Sequence, residues 1–221
     1  MSARYTLYIG SKNASAWSLR PWLAMKMAKV PFEEVLIKLR TPETKANILA
    51  HSPSGKVPAL KIEGNGSSQI VWDSLAICET IAERHPAAGL WPEDVNARAR
   101  ARSIAAEMHS GFADMRKALS VDITARHPTP ALDDSVQRDV ARIIAIWTNA
   151  LSEHGKDGGG FLCGQFSIAD AFYAPVVTRF ETYGIKLPAV AQAYSQRVLS
   201  LAPMREWEAA AKAETQTKPA I

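Results

Sequence analysis

The chain of 221 residues changes its hydrophobic pattern near residue 90, and this change restricts the folds open to it. Before that point, short runs of β-branched and aromatic residues alternate with segments of helical periodicity. After it, apolar residues recur at helical spacing only. Residues 86–94 contain two prolines and a glycine, which interrupt helices and strands alike. The sequence therefore predicts a mixed α/β domain over residues 1–85, a linker over residues 86–94 and an all-helical domain over residues 95–221.

The first half is predicted to contain seven elements, from period-2 alternation for strands and 3.6-residue periodicity for helices. A Gly-Asn-Gly turn at residues 64–66 joins the third and fourth strands. The order β-α-β-α-β-β-α is that of a thioredoxin-like domain, with a βαβ half and a ββα half around one mixed sheet. The predicted spans are residues 5–9, 17–29, 32–39, 42–49, 59–62, 69–72 and 73–85.

The second half is predicted to contain helices alone. Its apolar residues recur at three- and four-residue spacing, as expected for amphipathic helices that pack around a shared core. The tail from residue 215 is expected to fray. The predicted helices cover residues 97–118, 136–151, 167–183, 188–199 and 203–213.

Composition argues against several classes of function. The net charge is +4 and the basic residues are scattered, so we expect no nucleic-acid partner. The two cysteines, Cys78 and Cys163, lie far apart, which argues against a disulfide framework or a zinc site. No apolar run approaches the ~18 residues of a membrane-spanning helix. We therefore expect a cytoplasmic protein with no metal and no membrane association.

One informative run is Gly-Lys-Val-Pro-Ala-Leu at residues 55–60, where a proline begins a predicted strand. A proline is tolerated there because its missing N–H need not join the ladder. If the bond between Val57 and Pro58 is cis, the N–H and C=O of Val57 point outward and can pair with an extended peptide. Taken alone, the run also fits an ordinary edge-strand proline.

A second run, Trp-Asp-Ser-Leu-Ala-Ile at residues 72–77, begins a predicted helix with an Asp-Ser pair. The first N–H groups of a helix lack partners and carry positive potential. With the hydroxyl of Ser74 they can bind a carboxylate, while Asp73 can pair with an ammonium group. A simple N-cap is the alternative. Together the two runs indicate a site for the tripeptide glutathione rather than for a nucleotide or a metal.

With a third run at residues 166–170, Phe-Ser-Ile-Ala-Asp, these motifs resemble the soluble glutathione S-transferase family over nearly the whole chain. The third run resembles that family's capping box, whose role is in folding. The resemblance implies a thioredoxin-like domain followed by a helical domain, a homodimer, and glutathione as co-substrate. Within the family the chain is similar to the Ser-type zeta class and looks like a bacterial branch of it.

In this family the residue that activates the thiol lies between the first strand and the first helix. Residues 10–22 contain three serines but no cysteine or tyrosine. Ser15 resembles the serine of the zeta and related classes and is our first candidate, followed by Ser18 and then Ser11. A hydroxyl that donates to the sulfur would stabilise the thiolate, which would then attack a small apolar electrophile.

The remaining predicted site residues follow from the same resemblance. Lys56 is favoured over His51 as the partner of the glycine carboxylate of glutathione. Arg20 either contacts the thiol site or holds its helix through an ion pair. The predicted glutathione-binding residues are Trp17, Arg20, Lys56, Val57, Pro58, Asp73 and Ser74, and the predicted second-substrate residues are Met108, His109 and Phe112.

Three other functions can be compared with that of a general transferase. The zeta class isomerises maleylacetoacetate, but its Ser-Ser-Cys pattern is here Ser-Ala-Trp at residues 15–17. Where zeta proteins carry a substrate-binding arginine, this chain has Thr182, with Arg179 nearby. These departures favour a general transferase, with the isomerase as an alternative. A non-catalytic binding module is a second alternative, and a cysteine-dependent reductase is disfavoured because the first loop has no cysteine.

Overall fold

The structure is a computed structural model, which describes residues 3–64, 66–154 and 159–216. Within these ranges the chain forms strands β1 to β4 and helices α1 to α9. The strands are Arg4–Gly10, Glu33–Ile37, Ala59–Gly64 and Ser67–Trp72. The helices are Ala16–Met27, Thr44–Leu49, Ser74–Arg84, Val95–Ser110, Ala113–Ala118, Asp134–His154, Ile168–Thr182, Ala189–Ser200 and Ala202–Gln216.

The four strands form one mixed sheet in the order β2-β1-β3-β4. β1 runs parallel to β2 and antiparallel to β3, with Leu7 opposite Leu60. Both faces of β1 are covered, so every residue from Tyr5 to Gly10 is buried. Leu7 belongs to the main core, while Tyr8 on the other face packs with Ile48 of α2. The predicted thioredoxin-like order β-α-β-α-β-β-α is confirmed.

The two halves of the molecule share one hydrophobic core. α1 packs on α7 as well as on α3, and the main cluster of buried residues runs from the sheet through α1 into the helical domain. α7 is buried along nearly its whole length. It begins with the predicted capping box, in which the N–H of Ser167 donates to Asp170 Oδ2 at 2.8 Å. The N–H of Leu162 donates to the other oxygen of that carboxylate at 3.0 Å.

One predicted helix is wrong in extent: residues 97–118 form two helices rather than one. α4 ends at Ser110, and the chain turns before α5 begins at Ala113. At Gly111 a Cβ would lie 2.9 Å from the carbonyl oxygen of Glu107, so glycine permits the close approach there. Phe112 then adopts a φ of 60°, in the left-handed region that is incompatible with a continuing helix.

Some predictions concern boundaries or fall on residues outside the described ranges. Asn65 of the predicted turn lies outside them, although Gly66 has the positive φ of 76° expected in such a turn. α9 extends to Gln216, and the rest of the predicted frayed tail is likewise outside the described residues. α3 ends at Arg84 and α4 begins at Val95, on either side of the predicted linker.

In the described part of the chain, no helix combines the length and apolarity needed to cross a bilayer. Among the same residues, no three His, Cys, Asp or Glu side chains are grouped as a metal site would require. Cys78 and Cys163 are both unpaired.

Candidate functional site

A cleft of about 670 Å³ lies against the carboxyl end of β1 and the first turn of α1. One side is formed by Trp17 and by Ala14 and Ser15 of the serine loop, which we define as residues 11–15. The opposite side is formed by the peptide wall, which we define as residues 54–58 and 72–74. Leu39 and Ile48 complete the lining. The cleft therefore brings together three segments that are far apart in the sequence.

A second cleft of about 760 Å³ lies beside the predicted linker, where Trp91, Glu93 and Cys163 contribute to its lining. None of the predicted site residues lines it. Burial raises the pKa of Cys163 to about 12, so its thiol is protonated near neutral pH. Because Ser15, Val57, Asp73 and Ser74 all line the first cleft, that cleft is the candidate site.

The serine loop presents Ser15 at the start of α1. Ser15 is the N-cap of this helix, and its Oγ accepts a hydrogen bond from the N–H of Ser18 at 3.4 Å. Its hydroxyl donates to Ser18 Oγ at 2.8 Å, and Ser18 Oγ also accepts the N–H of Gly10 at 3.0 Å. Ser15 lines the cleft, whereas Ser18 is fully buried. The third candidate, Ser11, uses its Oγ to accept the N–H of Leu39 at 3.0 Å.

The peptide wall presents the main chain of Val57 next to the cleft. The bond between Val57 and Pro58 is cis. The ladder between β3 and β4 begins only at Ala59, so the N–H and C=O of Val57 lie outside the sheet. Lys56 is exposed and lines the cleft, while its alternative His51 stacks on the ring of Tyr8 with 4.2 Å between centroids.

Asp73 and Ser74 form the other part of the peptide wall, at the start of α3. Asp73 has a φ of 75° and is the N-cap, because its Oδ1 accepts the N–H of Leu75 at 2.8 Å. Its Oδ2 lies 3.4 Å from Nε2 of His109. Ser74 lines the cleft and its Oγ accepts a hydrogen bond from Arg20 at 3.4 Å. The N-cap role thus occupies one oxygen of Asp73 and leaves the other directed at the imidazole of His109.

Arg20 places a buried positive charge behind this wall. Only 2% of the residue is exposed, and its guanidinium carbon lies 4.1 Å from the ring centroid of Trp17 and 4.6 Å from that of Phe172. Its Nε has no hydrogen-bond partner among the described residues. Burial, with repulsion from Arg116 and Arg179, lowers the pKa of Arg20 to about 9. The group is therefore still protonated at neutral pH and adds positive potential where an anionic ligand would bind.

The three predicted second-substrate residues have different surroundings. His109 of α4 packs edge-on against Trp17 with 5.2 Å between centroids, and burial lowers the pKa of its imidazole despite the nearby Asp73. Met108 is fully buried and Phe112 nearly so, and neither lines the cleft. Of the three, His109 alone contacts other predicted site residues through its ring.

Sequence reasoning missed Arg116, which lies 5.2 Å from the ring centroid of Trp17 and so gives this cleft residue a second cation. Arg116 also donates to the carbonyl oxygens of Met108, His109 and Gly111 at the end of α4. A basic side chain that satisfies the last carbonyls of a helix is a known signal of helix ends. Recognising the helix break at Gly111 would therefore have drawn attention to this arginine.

Comparison with known proteins assigns both halves of the chain. The family model described as the N-terminal domain of glutathione S-transferase matches residues 14–84, and the one described as the C-terminal domain matches residues 133–210. A probable maleylacetoacetate isomerase of Caenorhabditis elegans is 34% identical over 106 residues, which are 48% of this chain and 47% of that protein. The maleylacetoacetate isomerase of Pseudomonas aeruginosa is 26% identical over 184 residues, 83% of this chain and 84% of that protein.

Solved structures show the same fold. Glutathione transferase Omega 2S from Trametes versicolor superposes with a TM-score of 0.73 at 21% identity, and the match covers 100% of both chains. A maleylacetoacetate isomerase from Anaeromyxobacter dehalogenans, crystallised with glutathione in its active site, has a TM-score of 0.68 at 24% identity over 93% of this chain and 95% of that one. With both domain models matched in order, the chain belongs to the glutathione S-transferase family.

Proposed function

We propose that this protein is a glutathione transferase that binds glutathione in the cleft and activates its thiol for attack on small apolar electrophiles. The observation that carries the proposal is the convergence of three groups on one cleft. These are the hydroxyl of Ser15 at the start of α1, the main chain of Val57 outside the sheet, and the Asp73–Ser74 pair at the start of α3.

The reaction requires a thiolate, and Ser15 is suited to stabilise one. A free thiol has a pKa near ~8.5, so only a few per cent is ionised at neutral pH. Lowering this pKa by ~2 units needs about 2.7 kcal/mol. A charge-assisted hydrogen bond from the Ser15 hydroxyl, the positive end of α1 and the charge of Arg20 act in the same direction. To donate to sulfur, the Ser15 hydroxyl gives up its present bond to Ser18.

The rest of glutathione matches the peptide wall. The N–H and C=O of Val57 can pair with the tripeptide backbone as an added strand. The hydroxyl of Ser74 and the first N–H groups of α3 are donors for the γ-glutamyl carboxylate, and Asp73 is a partner for the ammonium group. Lys56 is exposed at the cleft and can reach the glycine carboxylate.

The proposal extends to the second substrate and to the setting of the enzyme. The electrophile would approach from the helical domain, where His109 and Trp17 are in contact. A role in detoxification and a homodimer are carried over from the family resemblance. The two unpaired thiols, Cys78 and Cys163, support a reducing, cytoplasmic location. Sedimentation at several protein concentrations tests the homodimer.

A second candidate function is a glutathione-dependent cis–trans isomerisation. It is favoured by the relatives named maleylacetoacetate isomerase, which match most of this chain. In such a reaction a thiolate adds to an activated cis double bond, the new single bond rotates, and the thiolate leaves again. The site proposed here supplies the same thiolate, so the two candidates differ in the second substrate rather than in the use of Ser15.

The decisive experiment measures binding and turnover together. Calorimetry should detect one glutathione per chain, and ultraviolet absorbance should show that bound glutathione ionises at a lower pH than free glutathione. S-methylglutathione is the matched control, because it can bind but cannot ionise. A chlorinated nitroaromatic and maleylacetoacetate are then compared as substrates. Glutathione binding without either activity would favour the non-catalytic binding module, and no binding at all would refute the proposal.

A further inference from the structure

Two polar residues of the serine loop, Lys12 and Asn13, are held by the helical domain, an arrangement that the proposed chemistry does not use directly. Lys12 and Asn13 belong in sequence to the thioredoxin-like domain. Most of their hydrogen bonds, however, reach residues more than a hundred positions away. This long-range pattern sets the serine loop apart from the peptide wall, whose bonds are nearly all within its own domain.

Asn13 makes the more specific of the two sets of contacts. Its Nδ2 donates to Asp122 Oδ1 at 2.9 Å, and its Oδ1 accepts the N–H of Thr124 at 3.0 Å. Its own carbonyl oxygen accepts the N–H of Ile123 at 3.4 Å. The side-chain amide is thus used once as donor and once as acceptor, a combination that a carboxylate cannot provide.

Lys12 is held on the other side of the loop, mainly by α9. Its N–H donates to Glu214 at 2.9 Å, and its carbonyl oxygen accepts the indole N–H of Trp207 at 3.0 Å. The ammonium group pairs with Glu34 at 2.5 Å and lies 5.4 Å from the ring centroid of Trp207. Lys12 is only 8% exposed, so these bonds are made in a largely dry environment.

The position of Asn13 affects that of Ser15, because both residues belong to one hydrogen-bonded turn. The carbonyl oxygen of Ser11 accepts the N–H groups of both Ala14 at 3.0 Å and Ser15 at 2.9 Å, so that the loop is one closed turn. A shift of Asn13 would move this turn and with it the N-cap of α1. In an active site, a displacement of about 1 Å can reduce turnover by about 100-fold.

We infer that Asn13 is a positioning residue: its amide, held between Asp122 and Thr124 of the helical domain, fixes the direction in which Ser15 presents its hydroxyl to the glutathione sulfur. Asn13 itself does not touch the reacting atoms. This inference rests on the proposed function of Ser15. It adds that the segment between α5 and α6 of the helical domain controls how well the Ser15 hydroxyl of the thioredoxin-like domain activates the thiol.

The test exchanges the amide of Asn13 and the carboxylate of Asp122. Asn13→Asp places two carboxylates against each other and removes the donor, so turnover should fall about tenfold. The apparent pKa of bound glutathione should rise, while glutathione affinity should stay within about twofold. In the double variant Asn13→Asp with Asp122→Asn, the amide and the carboxylate have changed places. A hydrogen bond can form again in the reverse direction, and turnover and the thiol pKa should return towards the wild-type values.

Two controls separate positioning from general stability. Asp122→Asn alone keeps an oxygen that can accept the hydrogen bond from Asn13, although it loses the charge that faces His127 at 3.5 Å. The turnover of this variant should therefore stay within about twofold of the wild-type value. Glu206→Gln removes an exposed contact between α9 and Lys26 at the far end of α1, and should leave turnover unchanged.

Two results would overturn the inference. Asn13→Asp could have the turnover and thiol pKa of the wild type, or it could lose affinity, melting temperature and turnover together without recovery in the double variant. Failure of the proposed function looks different, because the wild-type protein itself would then neither bind glutathione nor ionise its thiol.

Discussion

The two sides of the cleft are held in place by different parts of the molecule. The peptide wall is organised within its own domain, by the ladder between β3 and β4 and by the cap that Asp73 makes on α3. The serine loop also bonds to Leu39 and Glu34 of its own domain, but in addition it is held by α9 and by residues 122–124 of the helical domain. Changes in the peptide wall should therefore alter glutathione binding, whereas changes around the serine loop should alter turnover.

The largest expected effect is that of Ser15→Ala. Turnover should fall about 100-fold, because the hydrogen bond to the thiolate is lost, while glutathione affinity should stay within about threefold. Steady-state kinetics at saturating glutathione, together with calorimetry, measures the two separately. Loss of affinity equal to the loss of turnover would contradict the division between the two sides of the cleft.

Ser18→Ala should act mainly on stability. It leaves the N–H of Gly10 without its partner in a buried position and also deprives Ser15 of its acceptor. The free energy of unfolding should fall by about 2 kcal/mol, as measured by urea titration. If turnover instead falls as far as in Ser15→Ala while stability is unchanged, Ser18 is the group that activates the thiol.

Ser74→Ala tests the peptide wall itself. Removing this hydroxyl should weaken glutathione binding about tenfold, and turnover at saturating glutathione should stay within about twofold. Thr80→Ala on the exposed side of α3 is a matched control, because the Thr80 hydroxyl donates to the carbonyl oxygen of Ala76 within the same helix. Reduced turnover at saturation in Ser74→Ala would mean that the wall also orients the sulfur.

Trp207→Phe tests the contact between α9 and the serine loop. An aromatic ring remains, but the smaller phenyl leaves a cavity at this fully buried position and the hydrogen bond to the carbonyl oxygen of Lys12 is lost. The free energy of unfolding should fall by about 2 kcal/mol and turnover should also fall, whereas glutathione affinity should not change. Urea titration, steady-state kinetics and calorimetry of the same preparations give the three values. A change in affinity alone would show that α9 acts on the peptide wall.

The smallest effect expected concerns His109, which contacts Trp17 from one side of the cleft and Asp73 from the other. Burial holds its pKa below the ordinary value of 6.5, so the unfolded chain takes up a proton more readily than the folded protein. The contribution of this group to stability is therefore lost as the pH falls through 6.5. Urea titrations at neutral pH and at about pH 5 should show a smaller loss on acidification in His109→Gln than in the wild type. An unchanged pH dependence in that variant would contradict this assignment.

The parts of the site that could be predicted from the sequence are those made by neighbours in the chain. The N-cap role of Asp73, which was the alternative to a binding role, and the predicted capping box of Ser167 depend on bonds that span two or three residues, and the structure contains both. The thioredoxin-like order is confirmed for a similar reason, since periodicity and turn residues are local signals. The extent of α4 was misjudged because the left-handed conformation of Phe112 has no sequence signal of its own.

The contacts of the serine loop could not be predicted in this way. The partner of Asn13 is 109 positions further along the chain and that of Lys12 is 195 positions away, and neither residue belongs to a periodic pattern. The buried setting of Arg20, between the rings of Trp17 and Phe172, likewise depends on the packing of α1 on α7.

The sequence by itself determined the two-part fold, the family resemblance and the segments that meet at the cleft. Short-range hydrogen bonds and hydrophobic periodicity depend only on residues that are close together in the chain. Tertiary structure alone decided which serine faces the cleft and what holds it there. The physical reason is that Ser15 and Ser18 have similar neighbours in the sequence. Only the folded chain places Ser15 in the lining of the cleft and turns the hydroxyl of Ser18 towards the N–H of Gly10 at the end of β1, where Ser18 is fully buried.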